Sequence, residues 1–260
     1  MKFAANLSML FTEVPMMERF SAARSAGFEA VEIQYPYEWD RAQMKQELQK
    51  NKLNMVLFNL PCGDRAAGDV GLAFDPMRQE EFRAGLHKAL EWAIDLNVYN
   101  LNCVAGKKNK ECTREEQINT LVDNLKYGAK VLGEKGIRLM IEPLNHYDVP
   151  EYLVTTSTEA ISIIAKADMP NLFLQYDVYH AQREEGELAE TLRRYLDKIG
   201  HIQIADNPGR HQPGTGEVNY PFLLREIERM GYTGFVALEY RPLSDTMTSL
   251  NWLREYDLTS

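Results

Sequence analysis

Three acids and one amide in this sequence stand at or next to the end of an apolar run that has the character of a buried strand. They are Glu142, Asp177, Gln203 and Glu239. Such runs are continuously apolar because both faces of a parallel sheet are covered, so a polar residue that follows one lies at the carboxyl edge of the sheet. Four such side chains at one edge would form a single site that is built from several strands.

This set offers only oxygen ligands and three negative charges, which suits Mg²⁺ or Mn²⁺ better than zinc or copper. Without a cation the three carboxylates would raise one another's pKa. Glu142 and Glu239 come from well-separated strands, so they could also move a proton on opposite sides of a substrate. The alternative is structural, with each acid capping a helix or pairing with an arginine. We predict a metal site that shares two residues with an acid–base pair.

Three further side chains are candidates for binding a substrate. His180 lies three residues past Asp177 in an expected loop, where it could hydrogen-bond a substrate hydroxyl. Arg210 could clamp a substrate carboxylate because its planar guanidinium matches one bidentately; the alternative is a solvated surface arginine. His146 is a candidate of the same kind. His201, in contrast, begins a strand and is expected to be a satisfied residue of the core or rim.

Strand-like and helix-like segments alternate eight times along the chain, which predicts parallel strands joined by helical crossovers. Eight such units in about 250 residues are typical of a single (β/α)8 TIM barrel. A doubly wound sheet is the alternative, but no GxGxxG follows the first strand. No linker or change in composition divides the chain, so residues 1–260 are predicted to form one domain. In such a barrel the site lies at the carboxyl ends of the strands.

Several local predictions accompany this fold. Thr113, with Glu116 three residues later, predicts a capping box. Residues 187–199 and 246–256 are each predicted to form one helix. The connection 60–76 is longer than the usual βα loop of about 2–6 residues. We expect this segment and the loop 205–217 to determine which substrate is bound.

Composition narrows the classes of function. The net charge is −9 and no lysine- or arginine-rich run is present, which argues against a partner with a phosphate backbone. The three cysteines have no metal-binding spacing and fit a reducing compartment. The N-terminal segment is a poor signal peptide, and no apolar stretch reaches the ~18 residues of a membrane span. We expect a cytoplasmic protein of small-molecule chemistry, with its assembly into a homo-oligomer left open.

Five segments closely resemble the hydroxypyruvate isomerase family of xylose isomerase-like TIM barrels. They are residues 3–8 (FAANLS), 59–64 (NLPCGD), 141–145 (IEPLN), 175–180 (QYDVYH) and 200–220 (GHIQIADNPGRHQPGTGEVNY). The resemblance extends nearly end to end. It implies interconversion of hydroxypyruvate and 2-hydroxy-3-oxopropanoate (tartronate semialdehyde) through an enediol. It also implies a metal held by Glu142, Asp177, Gln203 and Glu239, with Glu142 and Glu239 as the proton-transfer pair.

The same superfamily leaves other activities open. Isomerases of four-carbon 2-oxo sugar acids share these motifs, and ketose 3-epimerases would use the same two glutamates on a longer sugar. An abasic-site endonuclease would need more histidine ligands and a basic face, which five scattered histidines and a charge of −9 do not offer. At the third ligand position some relatives carry histidine, whereas this chain has Gln203. Because a neutral amide is a weaker ligand, we expect a loose dependence on metal.

Overall fold

Eight parallel strands close into a barrel in the computed structural model, which describes residues 1–256. Each strand pairs with the next along the chain, and the last pairs with the first. The strands are β1 (Lys2–Asn6), β2 (Ala30–Ile33), β3 (Asn54–Asn59), β4 (Asn100–Val104), β5 (Arg138–Glu142), β6 (Leu172–Asp177), β7 (Ile199–Ile204) and β8 (Phe235–Leu238). The predicted (β/α)8 barrel is confirmed.

Helices cover the outside of the barrel. They are α1 (Met16–Ser25), α2 (Arg41–Asn51), α3 (Gln79–Leu96), α4 (Arg114–Gly133), α5 (Ser157–Ala167), α6 (Val178–Glu184), α7 (Leu188–Tyr195), α8 (Tyr220–Arg229), α9 (Thr246–Ser249) and α10 (Trp252–Glu255). The capping box of Thr113 and Glu116 is confirmed at the start of α4. Within residues 1–256, no helix is long and apolar enough to cross a membrane.

Helix ends on the side of the barrel away from the strands' carboxyl ends have a shared conformation. Lys52, Asn97 and Asp168 follow α2, α3 and α5 directly, each with the left-handed backbone that is usual for glycine at this position. Their φ angles are 52°, 58° and 49°. Three helices therefore end on residues that have a left-handed backbone conformation, which residues other than glycine seldom adopt.

Three local predictions were wrong. The segment after β6 is the helix α6 instead of a loop, because the Asp177 carboxylate accepts the N–H of Tyr179 and caps it. The helix predicted over 187–199 ends at Tyr195, and a 3₁₀ turn then leads into β7. The predicted C-terminal helix is two short pieces. The chain turns between them and buries Trp252 edge-on against Phe3, with ring centroids 5.7 Å apart.

The barrel interior changes from apolar to polar along its axis. A small apolar cluster that includes Ala4, Met140 and Ala237 fills its lower part. Gly200 belongs to this packing, because a Cβ there would lie 2.5 Å from the sulfur of Met140. Side chains two positions apart on a strand share a face, so Asn6 also points inward, above the apolar layer. A polar layer therefore separates the apolar plug from the mouth of the barrel.

Candidate active site

The predicted acids meet at the carboxyl mouth of the barrel. Glu142 and Asp177 are the last residues of β5 and β6, and Glu239 follows β8 directly. All three are at most 5% exposed. Gln203 of β7 is fully buried and pairs in register with Asp177. The structure thus brings the four residues of the predicted cluster to one end of the barrel.

The three carboxyl groups hold protons more tightly than usual. Burial raises the pKa of Glu142 well above its ordinary value, and the charges of Glu239 and Asp177 raise it further. Burial likewise raises the pKa of Glu239 to about 8, although Arg210 opposes the shift. The pKa of Asp177 is raised by burial too, again against Arg210. Groups of this kind bind a proton or a cation readily, which is typical of catalytic carboxyl groups.

Arg210 lies between two of these acids. One guanidinium nitrogen, Nη2, donates to Glu239 Oε2 and, at 3.2 Å, to Asp177 Oδ2. The guanidinium also lies over the ring of Tyr179, 4.9 Å from its centroid. Burial by itself would lower the pKa of Arg210, but Glu239, Asp177 and Glu142 together raise it. The alternative of a solvated surface arginine is therefore wrong. Arg210 contacts protein carboxylates here, and its predicted role as a substrate clamp stays a prediction.

His180 points a single N–H group towards the acids. Its Nδ1 accepts the backbone N–H of Asn145 at 3.1 Å, so the proton of the neutral ring is on Nε2. Nε2 lies 3.5 Å from Asp177 Oδ2. Burial, with the charges of Arg210 and Arg183, lowers the pKa of His180 well below its usual value. His180 is thus a neutral hydrogen-bond donor, fixed in place by helix α6.

A metal ion fits part of this cluster. Carboxylate oxygens of Glu142 and Asp177 and a ring nitrogen of His180 all lie within 4.8 Å of one another, and all three side chains are buried. The two carboxylates are the ligands in this group, because Nε2 of His180 carries the ring proton. A cation there would remove the repulsion that raises the pKa of Glu142. Gln203 Oε1 accepts a hydrogen bond from Gln175 at 2.7 Å. Because a carbonyl oxygen has two lone pairs, one remains on Gln203 for a ligand.

His146 lies on the rim and outside the acid cluster. Its side chain is 54% exposed, and its Nδ1 is 2.6 Å from Glu184 Oε2. The ring stacks on Tyr147, with centroids 3.9 Å apart. These contacts hold His146 against the C-terminal end of α6, and its substrate-binding role stays a prediction.

Glu32 of β2 is the centre of the polar layer below the acids, and it is not among the site residues predicted from the sequence. It is fully buried and accepts hydrogen bonds from Asn6 Nδ2 at 2.8 Å and from Gln203 Nε2 at 2.7 Å. Its other oxygen lies 2.7 Å from His201 Nε2, which makes His201 the satisfied core residue that we expected. The signal was an acid inside a short apolar strand, because such a residue is costly unless partners surround it.

Amide side chains hold both catalytic candidates. Asn6 Nδ2 and Gln34 Nε2 donate to Glu239 Oε1 at 2.9 and 3.0 Å. Asn102 Nδ2 donates to Glu142 Oε2 at 2.7 Å. Amide donors thus fix one carboxylate oxygen of each glutamate, and Arg210 holds the second oxygen of Glu239. Constraints of this kind keep catalytic groups in a productive geometry.

Asp206 organises the loop that carries Arg210. Its backbone carbonyl accepts the N–H of Arg210 at 2.9 Å. Its two carboxylate oxygens accept five backbone N–H groups, those of Asn207, Gly214, Thr215, Gly216 and Val218. The side chain is 1% exposed, so these bonds are shielded from water. One carboxylate thus fixes most of the segment 206–218.

We expect Asp206→Ala to lower the free energy of unfolding by about 2–4 kcal/mol, because buried N–H groups would lose their acceptor. Urea denaturation would measure the change. The control is Asp197→Ala, since the Asp197 side chain is 74% exposed beside Lys198; its effect should stay within about 0.5 kcal/mol. Equal stabilities of the two variants would show that the loop does not depend on Asp206.

The comparison with known families decides the classification. The family model for the xylose isomerase-like TIM barrel matches residues 20–256. The chain belongs to this family. The acids described above lie at the end of the barrel that carries the βα loops, which is where TIM barrels have their active sites.

Individual members of the xylose isomerase-like family resemble the chain over nearly its whole length. Hydroxypyruvate isomerase of Escherichia coli K12 is 45% identical over 256 residues, which cover 98% of this chain and 99% of that protein. A 2-oxo-tetronate isomerase of Pectobacterium atrosepticum is 41% identical, with 96% of each chain covered. A Brucella melitensis crystal structure, described as an AP endonuclease of family 2, superposes with a TM-score of 0.95 at 39% identity and 98% coverage of each chain. The resemblance to the hydroxypyruvate isomerase family is confirmed.

Proposed function

We propose that this protein is an isomerase that interconverts hydroxypyruvate and 2-hydroxy-3-oxopropanoate (tartronate semialdehyde). The observation that carries the proposal is the pair Glu142 and Glu239, both buried at the barrel mouth with raised pKa values. Carboxyl groups of this kind suit proton abstraction from, and return to, adjacent carbons. The 45% identity with the E. coli hydroxypyruvate isomerase supports the choice of substrate.

In the proposed reaction one glutamate takes a proton from the carbon that bears the hydroxyl group, and an enediolate forms. The other glutamate, which is protonated beforehand, returns a proton to the neighbouring carbon. The hydroxyl proton passes to the former carbonyl oxygen, so that the hydroxy ketone becomes a hydroxy aldehyde. The Nε2–H of His180 donates to the oxygen on which negative charge develops, since its neutral ring is already oriented. Arg210 keeps the carboxylate of Glu239 in place and offsets its charge. Proton transfer between two carbons thus needs only small movements of fixed side chains.

A divalent ion, Mg²⁺ or Mn²⁺, would be held by Glu142, Asp177, Gln203 and Glu239, with His180 adjacent to two of them. Bound there, it would supply polarisation of the carbonyl and hydroxyl oxygens of the substrate. The oxygen-rich donor set supports a hard cation of this type.

A four-carbon 2-oxo sugar acid is the second candidate substrate. It is favoured by the 41% identity with the 2-oxo-tetronate isomerase of P. atrosepticum. The proton transfer would be the same, on a chain that is one carbon longer. Three solved 3-epimerases that share the fold are 17%, 23% and 21% identical, and they support the fold alone. A charge of −9 argues against abasic-site DNA as a substrate.

The proposal is tested by incubating the protein with hydroxypyruvate and Mg²⁺ or Mn²⁺ in D₂O and following the mixture by NMR. We expect tartronate semialdehyde to appear and deuterium to enter at the carbon that gains a proton. Parallel samples contain the four-carbon acid or DNA with an abasic site. Cleavage of that DNA would contradict the proposal. So would a sample set in which neither hydroxypyruvate nor the four-carbon acid is consumed.

We further propose that residues 1–260 act as one domain in the cytoplasm, on a small molecule and without nucleic-acid or membrane partners. The absence of basic runs and the unpaired cysteines support this. Assembly into a homo-oligomer stays a prediction, which light scattering of the purified protein would test.

A further inference from the structure

A cleft of about 410 Å³ opens beside Glu239. Its lining includes Ser8, Gln34, Arg210 and Arg241. Gln34 and Arg210 both donate to the Glu239 carboxylate, so two residues of the cleft wall contact the acid cluster directly. Arg241 therefore lines a cleft whose wall touches Glu239.

The two arginines of the cleft are bonded in different ways. The Nη2 atom of Arg210 donates to Glu239 and Asp177, whereas its Nε is buried without a partner among residues 1–256. Arg241 is exposed, and its guanidinium forms no hydrogen bond or ion pair with any residue from 1 to 256. Its backbone N–H donates to the Arg210 carbonyl at 2.8 Å, which places the two residues side by side. Of the two arginines, Arg241 is therefore the one that is exposed and whose guanidinium pairs with no carboxylate of residues 1–256.

The Glu13 carboxylate is a third charged group in the cleft, and it has hydrogen-bond partners within the protein. The Glu13 carboxylate accepts hydrogen bonds from the backbone N–H and the hydroxyl of Thr246. These contacts contribute to the lowered pKa of Glu13, although burial opposes it. Glu13 thus serves the start of α9, and Arg241 keeps its positive charge available.

We propose that Arg241 binds the carboxylate of the substrate, and that Arg210 serves the acids of the protein itself. This rests on the proposed function, because it assigns the part of the site that selects an acid. An anionic substrate is favoured by a positive charge next to the buried acids, and the exposed Arg241 supplies one. Arg241 is two residues past Glu239, roughly 6–7 Å along an extended chain, and the substrate carboxylate is one bond away from a reacting carbon. Its planar fork binds a carboxylate bidentately.

Kinetics of Arg241→Leu test the assignment. We expect KM for hydroxypyruvate to rise about 10- to 100-fold with a much smaller change in kcat, because the lost contact is made by bound substrate and transition state alike. Arg241→Lys should recover part of the loss, since it keeps the charge but not the fork. The control is Arg225→Leu in α8, where the arginine is also exposed. A fall in kcat with unchanged KM would overturn the assignment, as would equal effects of the two leucine variants.

Calorimetry separates this proposal from the proposed reaction. The inert acid 3-hydroxypropanoate and the neutral propane-1,3-diol are titrated into the wild-type protein and into Arg241→Leu. We expect the acid, but not the diol, to bind more weakly to the variant, whether or not hydroxypyruvate is isomerised. If the wild-type protein fails to turn over hydroxypyruvate, the proposed function falls and this titration still decides the role of Arg241. Equal binding of the acid to both proteins, or no binding to the wild type, would overturn the role.

Discussion

Glu142→Gln and Glu239→Gln are each expected to lower kcat for hydroxypyruvate by about 10²–10⁴-fold, since each removes one proton-transfer group. A glutamine has nearly the shape of glutamate, and its oxygen can still accept from Asn102 at position 142, or from Asn6 and Gln34 at position 239. The fold should therefore survive. NMR in D₂O would measure turnover and deuterium exchange in the same sample.

The exchange readout distinguishes the two glutamates. A variant that lacks the abstracting base should show no deuterium entering the unreacted substrate, whereas loss of the returning acid should mainly stop product formation. Glu80→Gln is the matched control, because the Glu80 side chain is 89% exposed. Full exchange and turnover in either active-site variant would remove that residue from the mechanism.

Glu32→Ala is expected to lower the free energy of unfolding by about 3–5 kcal/mol, because three buried polar side chains would lose their shared partner. Asn6 and Gln203 would lose their common acceptor, and His201 would lose its bond with the carboxylate. Because Asn6 also contacts Glu239, turnover should fall as well. Chemical denaturation and the hydroxypyruvate assay would measure the two effects.

Glu29→Ala is the control for this change, since Glu29 is exposed one residue before β2. It should alter stability by no more than about 0.5 kcal/mol. Glu32→Gln keeps one acceptor oxygen and the side-chain volume, so its effect should be intermediate. If Glu32→Ala unfolded at the same denaturant concentration as Glu29→Ala, the buried layer would contribute nothing to stability.

The sequence was sufficient for the barrel and for the placement of the acids. Continuous apolar runs that end in Glu142 or Asp177 can be identified without structure, because burial on both faces requires them and because parallel strands end together. The predicted cluster followed from this rule alone. The helix after Asp177 was not predicted because its N-cap, Asp177, had already been interpreted as a metal ligand. The same carboxylate also accepts the N–H of Tyr179 and so begins the helix.

Pairings across the barrel were beyond the sequence. Glu32 is 169 residues from His201 and 171 from Gln203, so their contacts depend on closure of the whole sheet. The position of Arg210 depends on the conformation of a loop that a distant carboxylate organises, and no short-range pattern records that arrangement. Local patterns therefore predicted which residues are polar at the mouth, but not which of them are bonded to one another.

The helices α2, α3 and α5 end on residues with a left-handed backbone, Lys52, Asn97 and Asp168. These helix ends bear on how the substrate specificity of this enzyme family can evolve. They lie at the opposite end of the barrel from the acids, because each helix runs back against the strands that it connects. Glycine at such a position would relieve backbone strain of about 1 kcal/mol without reaching the mouth. A gain in the free energy of unfolding there would offset destabilising changes in the substrate loops. New substrate specificities could therefore evolve at one end of the barrel while the other end restores stability.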